Sequence, residues 1–488
     1  MQTDNLISMS DIARMANVGR AAVSNWRTRF QGDFPEMKEQ GRQGPLYDRA
    51  EVIAWLELKG KLETSNDGSA AMWKLLDLLR GELEVSDSLT SLFTIAALRV
   101  LAPDNELWKS SGGLSADEII LKLQAISAMT IDEIDTPRLR LNYPRSFTQT
   151  VAFIGGLDVN TARSLAKAIL IELPRSSRGF GQFTTPQIIR DLLVGFTEPS
   201  GDVYVPVVGS GQLMVEAASS SDGPIRVFGQ ELNEGMTSLA RLNLRLHGVD
   251  SVVKLNDGLS KDCFPNLRAD VAIADIPFGM LLDESQRRAN DIRWQWGVPG
   301  RHDSIGAWIQ DILFHLNDTG RAGVLVAPNF LFRTAQSEMQ IRRGLISSGV
   351  LDGVIALPPG LLHLTRIPAA IVLLRKSRPA GAPVWMLDLS ADVITLDRHT
   401  SVLSDEVVER AISSYTAWRT DQQLEGDAVA IDIETLATNN FDLSPSRYAD
   451  ADHGEVPDEG LLTKRLTDLL KEAGRLDALL INGSKEAK

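Results

Sequence analysis

Apolar residues follow two different spacings along this chain, and the change falls near residue 177. Upstream, they recur at intervals of three and four residues, as in Met72, Leu75, Leu76 and Leu79, which predicts amphipathic helices. Between residues 177 and 400, short apolar runs alternate with helical stretches, and this alternation predicts a doubly wound, mostly parallel α/β sheet. The predicted strands are 203–208, 225–230, 252–255, 270–274, 322–327, 351–357, 369–374 and 384–389.

Residues 1–62 have the pattern of a helix-turn-helix unit. A first helix is followed by a turn at 17–19, a second helix from about Arg20 to Arg29, and a third amphipathic helix after residue 48. This order resembles the winged helix-turn-helix of MerR-like and excisionase-like DNA-binding domains. The second helix carries Arg20, Arg27 and Arg29 without an acidic residue, so these arginines are candidates for DNA contact. A protein-docking helix with a solvated basic face is the alternative.

Three further domains are predicted downstream. A polar linker near 63–69 leads into a helical domain at 68–176, the α/β domain occupies 177–400, and a helical tail occupies 401–488. The tail ends in leucines at helical spacing, which are suited either to a partner or to the protein's own core. Several domains are expected in a chain of 488 residues, because single cores stop growing at about 250–300 residues.

Glycine and acidic residues follow the first three strands of the predicted sheet. Gly209-Ser210-Gly211 forms a strand-to-helix turn, where bare backbone lets a ligand approach and helix N–H groups are free. Glu231 ends the next strand roughly 20 residues on, where a carboxylate accepts hydrogen bonds from the ribose hydroxyls of an adenosine-type cofactor. Asp257 ends the third strand and is suited to the adenine amine. Each feature alone also fits an ordinary turn or a surface carboxylate, but their order favours a cofactor site.

The tetrapeptide Asp275-Ile276-Pro277-Phe278 follows the fourth of these strands. Methylation of an exocyclic amine requires two acceptors that hold the amine hydrogens, and the Asp275 side chain and the Ile276 carbonyl can supply them. Pro277 shapes the turn, and Phe278 can stack on a base flipped out of a duplex. A proline turn beside a core phenylalanine would explain the tetrapeptide alone. Four signals in order, each at the carboxyl end of a strand, favour a methyl-transfer site.

Composition narrows the class of protein. The single cysteine, Cys263, excludes an internal disulfide and a cysteine-cluster zinc site, and the six histidines show no metal-ligand spacing. There is no secretion signal or apolar run long enough to span a membrane, so we expect a cytoplasmic, metal-free protein. The formal net charge of -14 argues against nucleic-acid binding by bulk electrostatics alone, although a local basic face or a partner subunit could supply it.

Taken together, these motifs resemble the adenine-specific DNA methyltransferases, and specifically the modification subunits of type I restriction-modification systems. The resemblance runs from about residue 70 to the end and includes the segments at 181–186, 328–333, 355–360 and 443–448. It implies a Rossmann-like S-adenosylmethionine-dependent methyltransferase sheet with the helix-turn-helix, helical domain and helical tail added. The cofactor-binding residues that it implies are Phe183, Thr185, Pro186, Gly209, Ser210, Gly211, Glu231 and Asp257. Its implied partners are DNA and a separate specificity subunit, and it leaves a restriction subunit open.

Two positions depart from the family pattern. The acidic residue that opens the family's glycine motif is Val205 here, which removes a group that helps to order the amino end of the cofactor. The family's Asn-Pro-Pro-Phe is Asp275-Ile276-Pro277-Phe278, and Ile276 keeps the carbonyl but gives a less pre-organised turn. The alternative function is therefore a catalytically weak or inactive methyltransferase-like DNA-binding regulator or scaffold. A small-molecule or RNA methyltransferase is a third possibility.

Overall fold

The structure is a computed structural model of the chain. It describes residues 6–16, 20–30, 32–41, 44–59, 67–79, 85–130, 146–176, 184–362, 366–395 and 401–449. Contacts group the chain into two units, Met1–Pro445 and Ser446–Lys488, and the elements below belong to the first. The leucine-spaced helix predicted near the C-terminus lies outside the described residues.

The N-terminal unit consists of three helices and a small antiparallel sheet in the order β1-β3-β2 over its described residues. Its elements are β1 (Leu6–Ser8), α1 (Met9–Ala16), α2 (Arg20–Arg29), β2 (Met37–Gly41), β3 (Gly44–Asp48) and α3 (Arg49–Leu58). Aromatic side chains form the core, because Trp55 packs on Trp26 and Phe34 with ring centroids 5.8 and 4.9 Å apart. The predicted second helix is confirmed as α2.

The segment predicted as a helical domain is helical throughout its described part. Its helices are α4 (Asp67–Leu78), α5 (Val85–Leu101), α6 (Leu107–Ser110), α7 (Ala116–Thr130), α8 (Phe147–Gly155) and α9 (Val159–Ser176). α5 packs against α9 and α7, and the resulting core also receives Met236, Leu239 and Leu242 from a helix of the α/β domain. The helical domain is therefore joined to the α/β domain by shared apolar burial. None of the described helices is long and apolar enough to cross a membrane.

The α/β domain is built on a mixed sheet of nine strands among the described residues, in the order β14-β11-β9-β10-β8-β7-β4-β5-β6. The strands are β4 (Gly201–Val205), β5 (Ile225–Glu231), β6 (Ser251–Leu255), β7 (Ala269–Asp275), β8 (Leu316–Val326), β9 (Leu351–Leu357), β10 (Ala369–Arg375), β11 (Val384–Asp388) and β14 (Val429–Ile431). β10 runs antiparallel to β8 and β9, and β14 runs antiparallel to β11, whereas the other pairs are parallel. All eight predicted strands are confirmed, with ends shifted by a few residues.

Helices cover this sheet, and a separate two-stranded ribbon lies beyond it. The helices are α10 (Gln187–Thr197), α11 (Gln212–Ser220), α12 (Glu234–Leu246), α13 (Ser304–His315), α14 (Asn329–Phe332), α15 (Gln336–Ser347), α16 (Asp405–Asp421) and α17 (Ile433–Thr438), and the ribbon is β12 (Ile394–Thr395) with β13 (Ser401–Val402). Burial on both faces explains the continuous apolar runs, such as that of Val271, Ala272 and Ile273, all inaccessible to solvent.

The predicted boundary at residue 400 is wrong. β14, which lies in the predicted tail, pairs with β11 and forms the edge of the sheet. α16 packs against α10 and contributes Val408, Tyr415 and Trp418 to the core of the α/β domain. A three-residue edge strand gives little signal in a sequence, so the helical pattern of α16 dominated the prediction.

Buried polar contacts fasten α16 to the sheet. The carboxylate of Asp352, on β9, lies 2.8 Å from the Arg375 guanidinium and 3.1 Å from that of Arg378. The same carboxylate accepts hydrogen bonds from the Tyr415 hydroxyl at 2.8 Å and the Trp418 indole N–H at 3.2 Å. A buried carboxylate with this many partners stabilises the fold chiefly because its loss leaves buried cations unpaired.

Replacement of Asp352 tests this attachment. We expect Asp352→Ala to lower the free energy of unfolding by about 3–5 kcal/mol, because the buried Arg378 and the partly buried Arg375 lose their counterion. The control Asp392→Ala removes a more exposed pair with Arg410 and should cost no more than about 1 kcal/mol. Urea denaturation followed by tryptophan fluorescence measures both variants, and equal losses would contradict the assignment.

Candidate active site

The turn after β4 presents bare backbone to the carboxyl edge of the sheet. Gly209 and Gly211 have positive φ angles of 56° and 76°, a conformation that favours glycine, and Gly211 caps the N-terminus of α11. A Cβ on Gly211 would lie 3.2 Å from the Cα of Ala240 on α12. The Asn243 side chain donates to the Ser210 carbonyl at 3.1 Å and holds the turn against the same helix.

The buried carboxylate of Glu231 joins this turn to the end of β5. One oxygen accepts the Gly209 N–H at 2.8 Å, and the other accepts the Asn233 N–H at 2.8 Å. Burial raises the pKa of Glu231, and the backbone N–H donors oppose that rise. A carboxylate has about four acceptor sites, so each oxygen keeps a lone pair for a ligand hydroxyl. Ser210, Glu231 and the two glycines therefore fit the ribose and adjoining part of an adenosine-type cofactor.

Asp257 extends this group along the next loop, after β6. Its carboxylate accepts the Leu259 N–H at 3.1 Å and the Gln286 side-chain amide at 2.8 Å. Gln286 is itself held, because its side-chain oxygen accepts the Asp283 N–H at 2.9 Å. The loop after the Asp275–Phe278 tetrapeptide thereby orients Asp257.

Arg293 holds the same loop in place, and the sequence analysis did not predict this role. Its buried guanidinium donates to the carbonyls of Gly258 and Leu259, both at 2.7 Å. It also pairs with Asp291 at 2.7 Å and Asp311 at 2.8 Å. No local motif marks Arg293, because its partners come from three separate segments.

The tetrapeptide lies where β7 ends, and its residues differ in exposure. Asp275 is half-buried, Ile276 is buried, Pro277 is exposed, and Phe278 packs partly on the sheet core. Burial raises the pKa of Asp275 to about 6, and a hydrogen bond from the Thr185 hydroxyl opposes that rise. The side-chain carboxylate of Asp275 and the following carbonyl can act as two acceptors for an amine.

The Thr184-Thr185-Pro186 segment lies between the tetrapeptide and the helix that follows the glycine turn. Both threonines are buried, and Pro186 precedes the first turn of α10. The Arg190 guanidinium donates to the Thr185 carbonyl and, at 3.2 Å, to the side-chain oxygen of Gln212 in the first turn of α11. The sequence analysis did not predict a role for Arg190. Phe183, the remaining residue predicted in this segment, lies outside the described residues.

The sheet order brings these groups to one edge. β6, β5, β4, β7 and β8 are consecutive parallel neighbours, so their carboxyl ends point the same way.

Comparison of the sequence with known protein families agrees with this architecture. The family model for N-6 DNA methylase matches residues 169–455, which is more than half of the chain. The chain belongs to the N-6 DNA methylase family.

Individual relatives of this methylase are type I methylase subunits. The HindI subunit of Haemophilus influenzae is 28% identical over 308 residues, which is 60% of this chain and 69% of that protein. The MjaVII subunit of Methanocaldococcus jannaschii is 27% identical over 290 residues, which is 55% of this chain and 49% of that protein. The methylase thus spans about half the length of the latter. The family match confirms the prediction of an adenine-specific DNA methyltransferase.

Solved structures show the same fold. The type I methyltransferase subunit from Streptococcus thermophilus superposes with a TM-score of 0.61 at 20% identity, covering 79% of this chain and 99% of that one. A modification subunit of a putative type I enzyme from Vibrio vulnificus superposes with a TM-score of 0.58 at 16% identity, covering 80% of this chain and 97% of that one. The methylase therefore has the α/β fold of S-adenosylmethionine-dependent methyltransferases.

The two departures from the family pattern have different structural consequences. Val205 is fully buried in the apolar core beneath the glycine turn, so this position supplies no charge to a ligand. Ile276 is 1% exposed, which fixes its side chain in the core while its carbonyl remains part of the turn. Burial of the Ile276 side chain thus supports the turn, where the family pattern has the rigid ring of a proline.

The arginines of α2 lie away from this edge. Arg27 lies 3.6 Å from Glu409, Arg29 lies 3.5 Å from Asp222, and Asn25 donates to the Ser220 carbonyl at 2.9 Å. Ser220 ends α11, so α2 docks at the end of that helix opposite the glycine turn. The side chain of Arg20 lies outside the described part of the chain, and DNA contact by these arginines stays a prediction.

Substitution of Gly211 tests the packed turn. We expect Gly211→Ala to destabilise the methylase more than Gly248→Ala, since both have positive φ angles but only Gly211 faces the backbone of α12. The Gly248 variant should cost roughly 1 kcal/mol for its strained φ, and the Gly211 variant about 1–2 kcal/mol more. Denaturant titration compares the two. A Gly211 variant as stable as the control would show that α12 does not restrict the turn.

Proposed function

We propose that this methylase is the modification subunit of a type I restriction-modification system and that it transfers the methyl group of S-adenosylmethionine to the exocyclic amine of adenine in DNA. One observation carries the proposal. The Glu231-bound glycine turn and the Asp275–Phe278 tetrapeptide lie at the same sheet edge, with Thr185 hydrogen-bonded to the tetrapeptide. A donor site and an acceptor site are therefore adjacent.

The residues that follow β4, β5 and β6 would bind the methyl donor. S-adenosylmethionine, when bound, supplies an electrophilic methyl group on a sulfonium sulfur. Glu231 would accept its ribose hydroxyls, Asp257 its adenine amine, and the Gly209-Ser210-Gly211 backbone would line its path. Thr185 and Pro186 would lie against its methionine part. Since Val205 brings no charge to this end, the cofactor's ammonium group must rely on other acceptors.

The Asp275–Phe278 tetrapeptide would orient the target amine. The Asp275 carboxylate and the Ile276 carbonyl would each accept one amine hydrogen, which directs the nitrogen lone pair toward the donor. Phe278 would stack on the flipped adenine, and Pro277 would keep the turn open to the base. No histidine is needed as a base, because the proton of the methylated amine can leave to solvent.

A titration with S-adenosylmethionine tests the donor site. We expect binding in the micromolar range, roughly 8 kcal/mol, and a loss of at least ten-fold in Glu231→Ala, because the ribose acceptors are removed. Glu284→Ala is the control, since the Glu284 side chain is 96% exposed and lies outside the proposed site. Methyl incorporation into adenine, measured for the unaltered chain and Phe278→Ala, tests the acceptor site. Absence of S-adenosylmethionine binding with and without DNA would overturn the proposal.

The pH dependence of the reaction tests Asp275. Because its pKa is raised to about 6, the acceptor carboxylate forms only as the pH rises through that value. We expect kcat/KM to rise between about pH 5 and about pH 8, and Asp275→Asn to lose this rise because an amide oxygen accepts at every pH. An identical rise in Asp275→Asn would assign the titration to another group, such as Glu231.

A second candidate function is a DNA-binding regulator or scaffold that binds cofactor weakly. The burial of Val205 where the family carries an acidic residue favours it. The acceptors at Glu231, Asp257 and Asp275 oppose it, and Glu231 is a buried carboxylate that keeps acceptor capacity for a ligand. The same titration separates the two functions, because the scaffold predicts no measurable cofactor binding.

The proposed partners follow from charge and architecture. A separate specificity subunit would supply target recognition and a basic surface that complements the formal net charge of -14 on this chain. A restriction subunit would be a further partner. We also propose that residues 6–59 form a winged helix-turn-helix, supported by the order of its helices and hairpin. Phosphate contact by Arg27 and Arg29 would require their pairs with Glu409 and Asp222 to open.

A further inference from the structure

The short helix α14 begins just beyond the sheet edge that carries the tetrapeptide. β7 and β8 are parallel neighbours in which Asp275 pairs with Leu325, and α14 follows β8 after two further residues. Neighbouring strands are about 4.8 Å apart, so the turn after β8 lies next to the turn after β7. Asn329, the first residue of α14, is therefore placed beside the site that receives the target base.

Buried polar contacts fix α14 in position. The Arg342 guanidinium, which is inaccessible to solvent, donates to the Phe330 carbonyl at 2.9 Å and the Phe441 carbonyl at 3.2 Å. It also donates to the carbonyl of Arg333, and the Leu331 carbonyl accepts the Leu443 N–H at 3.0 Å. Hydrogen bonds to the Phe330, Leu331 and Arg333 carbonyls fix the backbone of α14, so its outward side chains have little freedom to move. A binding surface requires side chains that are fixed in this way.

Two side chains of α14 are left for a ligand. Phe330 and Leu331 are buried, but Phe332 is 50% exposed, and the side-chain oxygen of Asn329 is buried without a hydrogen-bond donor within the described structure. Asn329 and Phe332 are three residues apart, so they share a face of the helical turn. The shielded oxygen leaves the carboxamide nitrogen of Asn329 as the group that a ligand can reach.

We propose that Asn329 and Phe332 form a second wall of the target-base pocket. Phe332 offers an aromatic surface for stacking. The Asn329 carboxamide nitrogen would donate to a ring nitrogen of the base, since Asp275 and Ile276 already accept both hydrogens of the amine. Adenine presents such ring-nitrogen acceptors beside its amine. This inference rests on the proposed function and adds two substrate-contacting residues to it.

The test uses the full chain and a fluorescein-labelled single-stranded oligodeoxynucleotide that contains one adenine, in the presence of S-adenosylhomocysteine, with binding followed by fluorescence anisotropy. We expect Phe332→Ala and Asn329→Ala each to weaken oligonucleotide binding about ten-fold, equivalent to about 1.4 kcal/mol, with S-adenosylmethionine affinity unchanged. Phe332→Tyr should retain binding because stacking is preserved. The control is Trp73→Ala, since Trp73 is a comparably exposed aromatic residue (56%) on α4 of the helical domain.

The outcomes separate this inference from the proposed function. Variants at Asn329 and Phe332 that bind the oligonucleotide normally, while Phe278→Ala binds weakly, would overturn the inference and leave the function standing. An equal loss of cofactor and oligonucleotide affinity would show a structural role and would also overturn it. If the unaltered chain binds neither S-adenosylmethionine nor the oligonucleotide, the proposed function fails and the inference fails with it.

Discussion

The carboxylate of Glu231 is the contact on which the candidate site depends. It is buried, and it remains satisfied because the backbone N–H groups of Gly209 and Asn233 each donate to one of its oxygens. These two bonds fix the glycine turn after β4 to the end of β5, and they set the entrance of α12. A buried charge without such donors would be costly, so the position of the turn and the ionisation of the carboxylate support each other.

Other polar contacts connect the glycine turn with the Asp275–Phe278 tetrapeptide. The Thr185 hydroxyl bonds to Asp275, and Arg190 joins the Thr185 carbonyl to Gln212 at the start of α11. On the far side, Arg293 binds the backbone of the loop that carries Asp257. The donor and acceptor parts of the proposed site are thus linked through the protein by hydrogen bonds.

The sequence predicted the parts of the fold that follow from local pattern. Continuous apolar runs identified the strands, and the rule that ligands bind at the carboxyl ends of parallel strands located Glu231 and Asp275. Arg293 could not be found this way, because its backbone partners lie up to 35 residues away in sequence. β14 was missed because three half-buried residues carry no periodic signal. The basic face of α2 was predicted from charge alone, whereas two of its arginines pair with the α/β domain.

A crystal structure of the chain with S-adenosylhomocysteine bound would show whether Glu231 holds the ribose. We expect both ribose hydroxyls to lie within hydrogen-bond distance of the Glu231 carboxylate and the sulfur atom to face the turn formed by Asp275 and Ile276. Nucleoside bound at another edge of the sheet, or a sulfur atom directed away from Asp275, would contradict this expectation.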